Sequence, residues 1–435
     1  MAAMIVEDDA CENSIWSEPN YKKWKKNSKY LYETLVAHEL EGWPSLTVDW
    51  FQGSTVSMNG DKITQKLVIG TQTNDEGENY VKVVKLARPL MEKDAIQADK
   101  FNHKLREVGK YGADVKLETT ITMLHEGDVN VARINPNNEF LIATMTPTGS
   151  VLVFDYSKHP SFPADKDFVC HPQFRCNGHE KEGFALSWCP HTNARLLSGA
   201  EDGKVCVWDV PRVTGKAEVT VDPTYSQTSH TCVNDVAWHA KYANIFGSVG
   251  DDSKVVLHDP RTDSSSSRPA WGNAHAGKAV QSLSFNPYNE YLLATGGADD
   301  CVALWDLRYT EGSLHKINDC HSGGVDRVMW CPQRETVLAT CGTMDSANGE
   351  HSVKVWDIAK IGEEQNDDDE MDGPPELLFS HVGHMRAIND MRWCPGEAWM
   401  LASVDASNYL HVWEMDEANR GANPSVATVA DEDLE

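Results

Sequence analysis

The sequence predicts an all-β protein, a β-propeller of seven blades preceded by an N-terminal α-helix. Three observations lead to this fold. Six short alternating strands end in Trp-Asp or a close relative of it, at intervals of about 50 residues. Equivalent His, Ser or Thr, and Asp residues recur ahead of them, and a seventh unit can be aligned at the front of the chain. Together these features make one repeated supersecondary unit of nearly the whole chain.

The six strand endings are the clearest part of the repeat, because apolar and polar residues alternate along each of them as in a half-buried strand. They are VLVFD at 151–155, VCVWD at 205–209, VVLHD at 255–259, VALWD at 302–306, VKVWD at 353–357 and LHVWE at 410–414. Their spacing is slightly longer than the usual 40–45 residues of WD repeats, so the sequence predicts enlarged loops.

Each unit also carries polar residues at fixed places before its strand ending. A His precedes a strand that closes on an aromatic residue, usually with Pro two positions later (His179, His275, His321 and His384). A Ser or Thr and then an acidic turn follow; the acids are Asp202, Asp252, Asp300, Asp345 and Asp405. The pattern resembles the WD-repeat family, in which His, Ser or Thr, Asp and Trp form a hydrogen-bonded network within each blade.

The seventh unit lies at the front, where residues 34–50 align with residues 377–393 without a gap. The strand near Thr34–His38 precedes the first full blade, so we expect it to complete the last blade and close the ring. Closure leaves only short, protected strand edges. Domain boundaries follow: an acidic N-terminus and helix at 1–33, the propeller at 34–416, and an acidic tail at 417–435.

The repeated His and Asp are tempting as catalytic or metal-binding groups, but equivalent positions of different blades cannot converge on one site. The sequence therefore predicts a structural role for them, with no catalytic residues, no metal and no cofactor. The 11 cysteines contain no C-x-x-C pair, which argues against the usual zinc spacings and favours reduced thiols.

Composition limits the partners. The formal net charge is −27, a field that repels nucleic acid and anionic lipid and attracts basic partners. No apolar run is long enough for a transmembrane helix, and the polar N-terminus does not resemble a secretory signal. We expect a binding protein of the nucleus, with a cytoplasmic pool, that contacts neither nucleic acid nor membrane directly.

Two segments are not required by the repeat. Ser17-Glu18-Pro19 is a helix start, and Trp24, Leu31 and Leu35 follow at intervals of seven and four, as on one helix face. The second is the insertion at 361–375, IGEEQNDDDEMDGPP, between the sixth and seventh repeat units. Its dense acids favour a solvated loop or the binding of a cationic partner.

Several stretches resemble one family, the retinoblastoma-associated, Msi-like WD-repeat histone-binding proteins that serve as small subunits of chromatin assembly factors. They include YKKWKKNSKYLYETLVAHELEGWPSLTVDW, HEGDVNVARINP, GHEKEGFALSWCP and DIAKIGEEQ with DGPPELLFSHVGH. The similarity runs from about Tyr21 to Met415. It implies a non-enzymatic chaperone or escort of histones H3 and H4, shared among assembly, remodelling, deacetylase and Polycomb-type methyltransferase complexes.

The resemblance also implies two binding sites. The first helix of histone H4 would lie between the N-terminal helix and the acidic insertion. The residues implied there are Tyr30, Leu31 and Leu35 as the apolar wall, Asp369 and Asp372 as partners of Arg or Lys, and Phe379 at the base. An acidic rim beside an apolar groove suits an amphipathic basic helix.

The second implied site is on the top face and takes the histone H3 tail or a similar basic peptide. Its residues would be Trp43, Pro44, Glu126, Glu182 and Phe184. This chain departs from the family pattern elsewhere on that face: Asn234 replaces an acid, Asp326 an aromatic residue and Ala406 another acid, while Gly42 interrupts the Leu-Glu-Trp-Pro order. We therefore expect the top-face site to be present with altered affinity.

Two other functions remain open. Trp305-Asp306-Leu307-Arg308 and His258-Asp259-Pro260-Arg261 resemble the W-D-x-R pattern of substrate receptors of cullin ubiquitin ligases, which bind a ligase adaptor. The other is a propeller enzyme such as a metal-dependent hydrolase, which would need acids or His converging on the channel.

Overall fold

The computed structural model describes residues 31–40, 42–60, 62–89, 116–163, 169–212, 218–262, 269–309, 311–342, 351–365 and 373–420. Within these ranges the strands form seven sheets, which confirms the predicted seven-bladed, all-β propeller. The described ranges contain short 3-10 turns and no α-helix. The helix expected to start at Ser17 lies ahead of residue 31, outside the described residues. None of the described helical segments has the length and apolar character needed to cross a bilayer.

Each blade has four principal strands, numbered here from the first, at the central channel, to the fourth, at the outside. The first three blades contain these strands in that order: β2 (Val48–Trp50), β4 (Lys62–Gly70), β5 (Asn79–Pro89) and β6 (Lys116–His125); β7 (Val131–Ile134), β8 (Leu141–Met145), β9 (Val151–Asp155) and β10 (Phe174–Cys176); β11 (Ala185–Trp188), β12 (Arg195–Gly199), β13 (Lys204–Asp209) and β15 (Tyr225–Thr228).

Two further strands extend these sheets. β3 (Thr55–Val56) pairs with β4 in blade 1, and β14 (Val219–Val221) runs parallel to β10 at the edge of blade 2. β14 belongs to the connection between the third and fourth strands of blade 3, so this connection reaches back and covers the edge of the preceding blade. An edge strand that is paired in this way is protected from other chains.

The remaining blades repeat the four-strand pattern. Their strands are β16 (Val233–Trp238), β17 (Phe246–Gly250), β18 (Val255–His258) and β19 (Pro269–Trp271); β20 (Val280–Phe285), β21 (Leu292–Gly297), β22 (Val302–Asp306) and β23 (His315–Ile317); β24 (Arg327–Trp330), β25 (Val337–Cys341), β26 (Val353–Asp357) and β27 (Leu377–His381); β28 (Ile388–Trp393), β29 (Met400–Asp405), β30 (Tyr409–Met415) and β1 (Tyr32–Glu39). The 3-10 segments are Tyr156–Lys158, Ala274–Gly277, Ile358–Lys360 and Glu417–Asn419.

The ring closes through β1, as the sequence predicts. β1 pairs antiparallel with β30 along nearly its whole length, so the first described strand of the chain is the fourth strand of blade 7. The prediction that Leu35 lies on a helix is wrong, because Leu35 is in this strand. Thr34, Leu35 and Val36 suit a strand buried on both faces, and the hydrogen bonds to β30 outweigh the helical spacing of Leu31 and Leu35.

The repeated polar residues form the expected network inside the blades. In blade 3, His179 Nε2 lies 2.7 Å from Ser198 Oγ, and the Trp208 indole donates to the same hydroxyl at 2.8 Å. His179 Nδ1 lies 3.3 Å from Asp202. Blades 5 and 6 repeat the His–Thr–Trp part of this network. The ten cysteines within the described ranges are free thiols.

One turn acid was assigned to the wrong residue. In blade 5, Asp299 rather than Asp300 contacts His275 Nδ1, at 2.6 Å. Asp300 takes a left-handed conformation with φ of 67° and accepts a hydrogen bond from the Gly323 backbone. Adjacent acids cannot be told apart by spacing alone, because the tight turn decides which carboxylate points inward. The turn acid expected in blade 6, Asp345, lies outside the described residues.

Tryptophans at the ends of first strands connect the blades. In five blades the indole N–H of this residue donates to a backbone carbonyl on the first strand of the preceding blade, at 2.9–3.1 Å; the donors are Trp50, Trp188, Trp238, Trp330 and Trp393. The corresponding residues of blades 2 and 5 are Ile134 and Phe285, which have no such donor. We call these bonds the indole latches.

Candidate functional site

The two faces of the ring follow from strand direction. The upper face carries the connections from the fourth strand of one blade to the first strand of the next, and the lower face carries those from third to fourth strands. The acidic insertion runs from Asp357 at the end of β26 to Leu377 at the start of β27. It therefore lies on the lower face inside blade 6, not between two blades.

The chain before β1 reaches the propeller on the same lower face. Tyr32 pairs with Met415, the last residue of β30, and the Leu31 carbonyl accepts a hydrogen bond from the Asp416 N–H at 2.9 Å. β1 and β27 are the fourth strands of neighbouring blades. The Tyr32 ring lies edge-on to Phe379 at 5.2 Å, and its hydroxyl is 2.7 Å from His381 Nδ1. The two non-repeat segments thus meet the ring side by side, at what we call the lower rim.

The residues predicted for the histone H4 groove fall into three groups. Tyr30, Asp369 and Asp372 lie outside the described residues. Leu31 is 45% exposed, so its side chain is available to a partner. Leu35 and Phe379 are 0% and 7% exposed and pack with Tyr32 and Trp413 in one core cluster. Leu35 therefore cannot form the groove wall, and it supports the rim from beneath instead.

The ends of the described part of the insertion are held close together. Gln365 Nε2 donates to the Gly373 carbonyl at 3.2 Å, and the Leu377 N–H donates to the Pro374 carbonyl at 2.9 Å. Gly373 has a φ of 126°, and a Cβ there would lie 3.0 Å from the Leu377 side chain. Glycine is therefore required at this position. Glu363 and Glu364 are exposed, so they present negative charge to solvent at the rim.

A cluster of three buried histidines underlies the rim, with ligand atoms within 4.8 Å of one another. His381 contacts Tyr32 through one ring nitrogen and His411 through the other, at 3.0 Å. His384 contacts Asp405 and Ser403 through its two nitrogens. Burial and the neighbouring His384 hold the pKa of His381 well below its usual value. These contacts describe a neutral hydrogen-bonded network that joins β1, β27 and β30, rather than a metal centre.

The residues predicted for the top-face site all lie on upper-face connections. Trp43 and Pro44 are between β1 and β2, Glu126 is between β6 and β7, and Glu182 and Phe184 are between β10 and β11. The structure does not gather them in one cavity. Phe184 lines a cavity of about 340 Å³ at the mouth of the channel, whereas Trp43 lines another of about 320 Å³ between blades 7 and 1.

Two of the predicted departures from the family pattern lie at the channel mouth. Asn234 and Asp326 line the same cavity as Phe184. The Asn234 amide donates to Asp251 at 2.9 Å and to the Val280 carbonyl at 3.0 Å, so it is held within the protein. Ala406 is on the upper face in the turn between β29 and β30. The chemistry of the mouth is therefore set by Phe184 and Asp326.

The two predicted glutamates have different surroundings. Glu182 Oε2 accepts a hydrogen bond from the Asn130 amide at 3.3 Å, and Glu182 is only half-buried. Both oxygens of Glu126 are engaged by the Arg175 guanidinium, at 2.6 and 2.8 Å. The hydrogen bond from Arg175 is the main reason that the pKa of Glu126 lies below its usual value. Glu126 therefore remains an anion, but one with an internal cation beside it.

A network of charges inside the channel was not predicted from the sequence. It is centred on Asp390, which accepts a hydrogen bond from Arg133 at 2.8 Å and lies 3.8 Å from Arg327. Burial alone would raise the pKa of Asp390, but Arg133, Arg392 and Arg327 outweigh it and keep the pKa below its usual value. Burial lowers the pKa of Arg392 to about 10.

A sequence signal for this network existed. The charged residues stand one or three positions before the residue that closes a first strand, and side chains two apart point to the same face of a strand. They are Asp49, Arg133, Asp235, Arg327, Asp390 and Arg392. Charges that alternate with core residues in this way indicate a lined channel.

Comparison with known families agrees with this architecture. Residues 170–209, 272–306 and 375–414 match the family model described as WD domain, G-beta repeat. The chain is therefore a WD-repeat β-propeller protein. Residues 19–90 match the family model of the histone-binding protein RBBP4 and its counterpart in the CAF1 complex. The chain thus carries a histone-binding segment of the RBBP4/CAF1 type at the front of its propeller, which confirms the resemblance identified from the sequence.

Proposed function

We propose that this protein is a chaperone or escort subunit for histones H3 and H4, and that the first helix of histone H4 binds at the lower rim. The observation that carries this proposal is the contact between Tyr32 of β1 and Phe379 of β27. It places the start of the histone-binding segment beside the strand that follows the acidic insertion. An amphipathic basic helix would lay its apolar stripe near Leu31 and its positive charges against the insertion.

The test is binding of recombinant H4, or of H3–H4, to variants of the insertion. Asp369→Ala combined with Asp372→Ala should weaken binding by at least tenfold, because truncating charges that pair with a partner costs about 2 kcal/mol or more. Glu363→Ala combined with Glu364→Ala removes the same charge from exposed positions of the same insertion. If both double variants bind H4 equally, the assignment of the two aspartates is wrong.

We also propose that the upper face takes the histone H3 tail or a similar basic peptide, with Glu126, Glu182 and Phe184 as its nearest contacts and Trp43 and Pro44 at its edge. Glu182 is half-buried and Phe184 is partly exposed, as an electrostatic and aromatic contact surface requires. Titration of a labelled H3-tail peptide into wild-type protein and Glu182→Gln tests this. Equal affinities would remove Glu182 from the site.

In this proposal the protein has no catalysis of its own and acts in the nucleus as part of chromatin assembly, deacetylase, methyltransferase or remodelling complexes. Affinity purification from the source cells identifies which of these complexes contains it. Recovery of a histone-modifying or assembly-factor subunit would support the role of escort. Recovery of histones without any such subunit would favour a free chaperone.

A second candidate is a substrate receptor of a cullin ubiquitin ligase. Arg261 and Arg308 favour it, because both guanidinium groups are about two-thirds exposed on the lower face. Each is held by its own aspartate, Asp259 or Asp306, at 2.6 Å. Co-purification of a ligase adaptor that is lost in Arg261→Ala combined with Arg308→Ala would support this function, and retention of the adaptor would contradict it.

A further inference from the structure

Arg175 is placed where a bound basic peptide would place its own cation. Its two terminal nitrogens donate to the two oxygens of Glu126 at 2.8 and 2.6 Å, which is the paired geometry that an arginine adopts on a carboxylate. Arg175 lies on β10, the fourth strand of blade 2, and Glu126 lies on the connection that enters the same blade. The contact is therefore made within the chain.

Arg175 is also fixed from its other side. Its Nε donates to Glu218 at 2.6 Å, and its side chain is about four-fifths buried. Glu218 directly precedes β14, which pairs with β10, so the backbone holds it beside Arg175. The three residues, which we call the Arg175 clamp, carry a net charge of −1. Without Arg175 the same two glutamates would carry −2.

We propose that Arg175 is an internal competitor at the upper face, which lowers the affinity of Glu126 for basic peptides and so sets the specificity of the site. This inference rests on the proposed binding of basic peptides to that face. A peptide cation that reaches Glu126 must either share oxygens already bonded to Arg175 or displace a guanidinium held by a second glutamate. Either route reduces the gain from the new ion pair, so peptides must draw their affinity from Glu182 and Phe184 as well.

The opposite role, in which Arg175 only orients Glu126 for a ligand, makes the opposite prediction. If orientation dominates, loss of Arg175 weakens binding. If competition dominates, loss of Arg175 strengthens it, because both oxygens of Glu126 become available and the local negative charge increases. The sign of the change in affinity therefore separates the two roles.

The experiment is fluorescence anisotropy with a labelled synthetic H3-tail peptide and the full chain. Arg175→Gln should bind the peptide about threefold to tenfold more tightly than wild type, as expected for releasing one partly exposed ion pair. Arg175→Lys keeps the charge but loses the two-nitrogen fork, so its affinity should lie between these two. Arg195→Gln is the matched control, since Arg195 forms a comparable pair with Asp209 on the lower face, at 3.0 Å.

Glu126→Gln shows whether the gain acts through Glu126. In a Glu126→Gln background, Arg175→Gln should give no more than the change produced by Arg195→Gln. Unchanged or weaker binding by Arg175→Gln in an otherwise wild-type chain overturns the inference, and so does a gain that persists without Glu126. If Arg175→Gln does not fold, as judged by its thermal midpoint, Arg175→Lys carries the same test of sign.

The outcomes also separate this inference from the proposed function. If wild-type protein does not bind the peptide but Arg175→Gln does, the competitor role stands and the proposed upper-face function of the wild-type chain fails. If neither protein binds, both are overturned. If wild type binds and Arg175→Gln binds no better, the function stands and the competitor role fails.

Discussion

Replacing Asp390 with asparagine should be among the most destabilising conservative changes in the channel. The Asp390 side chain is 1% exposed, and one of its oxygens accepts hydrogen bonds from Arg133 Nη1 at 2.8 Å and from the Val48 N–H at 3.1 Å. Asparagine has nearly the same shape but is neutral. It would leave the buried guanidinium of Arg133 without its anion, and Arg327 and Arg392 would lose the same charge.

The magnitude follows from the burial of both partners. Removing one member of a buried ion pair costs about 3–5 kcal/mol, because the remaining charge stays desolvated and uncompensated. The side chain of Arg133 is only 7% exposed, so water cannot replace the lost carboxylate without opening the channel. We expect Asp390→Asn to lose about 3–5 kcal/mol of unfolding free energy.

The assay is equilibrium unfolding in urea, followed by tryptophan fluorescence, with the free energy taken from the midpoint and slope. Asp209→Asn is the control, because Asp209 pairs with Arg195 where its side chain is about half exposed, and such pairs contribute about 0–1 kcal/mol. A loss for Asp390→Asn no larger than the loss for Asp209→Asn would refute the argument that the channel charges stabilise the ring as ion pairs.

Three further predictions concern other parts of the ring. Trp188→Phe removes the indole latch to the Arg133 carbonyl at 2.9 Å, so it should cost about 1–3 kcal/mol in the same assay, and a neutral result would contradict the role of the latch. Burial lowers the pKa of His321 to about 3, below the roughly 6.5 of an unfolded histidine; only the unfolded chain is protonated between these values, so His321 should reduce stability as pH falls from about 6.5 to 3. His321→Gln should flatten that part of the stability curve, and an unchanged slope would count against a neutral His321. Gly373→Ala should weaken H4 binding severalfold without lowering the thermal midpoint, because the left-handed backbone and the contact with Leu377 disturb only the insertion; unchanged H4 affinity would separate this backbone from binding.

The ring itself could be predicted from sequence because a repeat samples the same structure several times. The alternating strands, the His–Ser pairs and the alignment of residues 34–50 with 377–393 each reinforced one another. The start of the chain was less certain, since Leu31 and Leu35 have a spacing that suits a helix. Only the partner strand β30, about 380 residues away, decides that Leu35 lies in a strand.

The binding surfaces were harder to predict because pairing between distant side chains leaves no local pattern. Glu126 was identified as an acid for a basic ligand, but nothing near it in the sequence indicates that Arg175 already occupies it. Likewise, the channel charges look like isolated polar residues in core strands until the first strands are arranged in a ring. Leu35 shows the same limit, because its burial depends on Phe379 and Trp413 of two other strands.

The indole latches divide the seven blades into two arcs. Blades 2, 3 and 4 are joined to one another by these bonds, and so are blades 5, 6, 7 and 1, whereas the junctions ahead of Ile134 and Phe285 have none. The propeller is thus two rigid segments that meet at two seams. The lower rim lies wholly inside the four-blade segment, between blades 6 and 7. The Arg175 clamp lies beside one of the seams, where a small rotation of one arc against the other would change the grip of Arg175 on Glu126 and leave the rim intact.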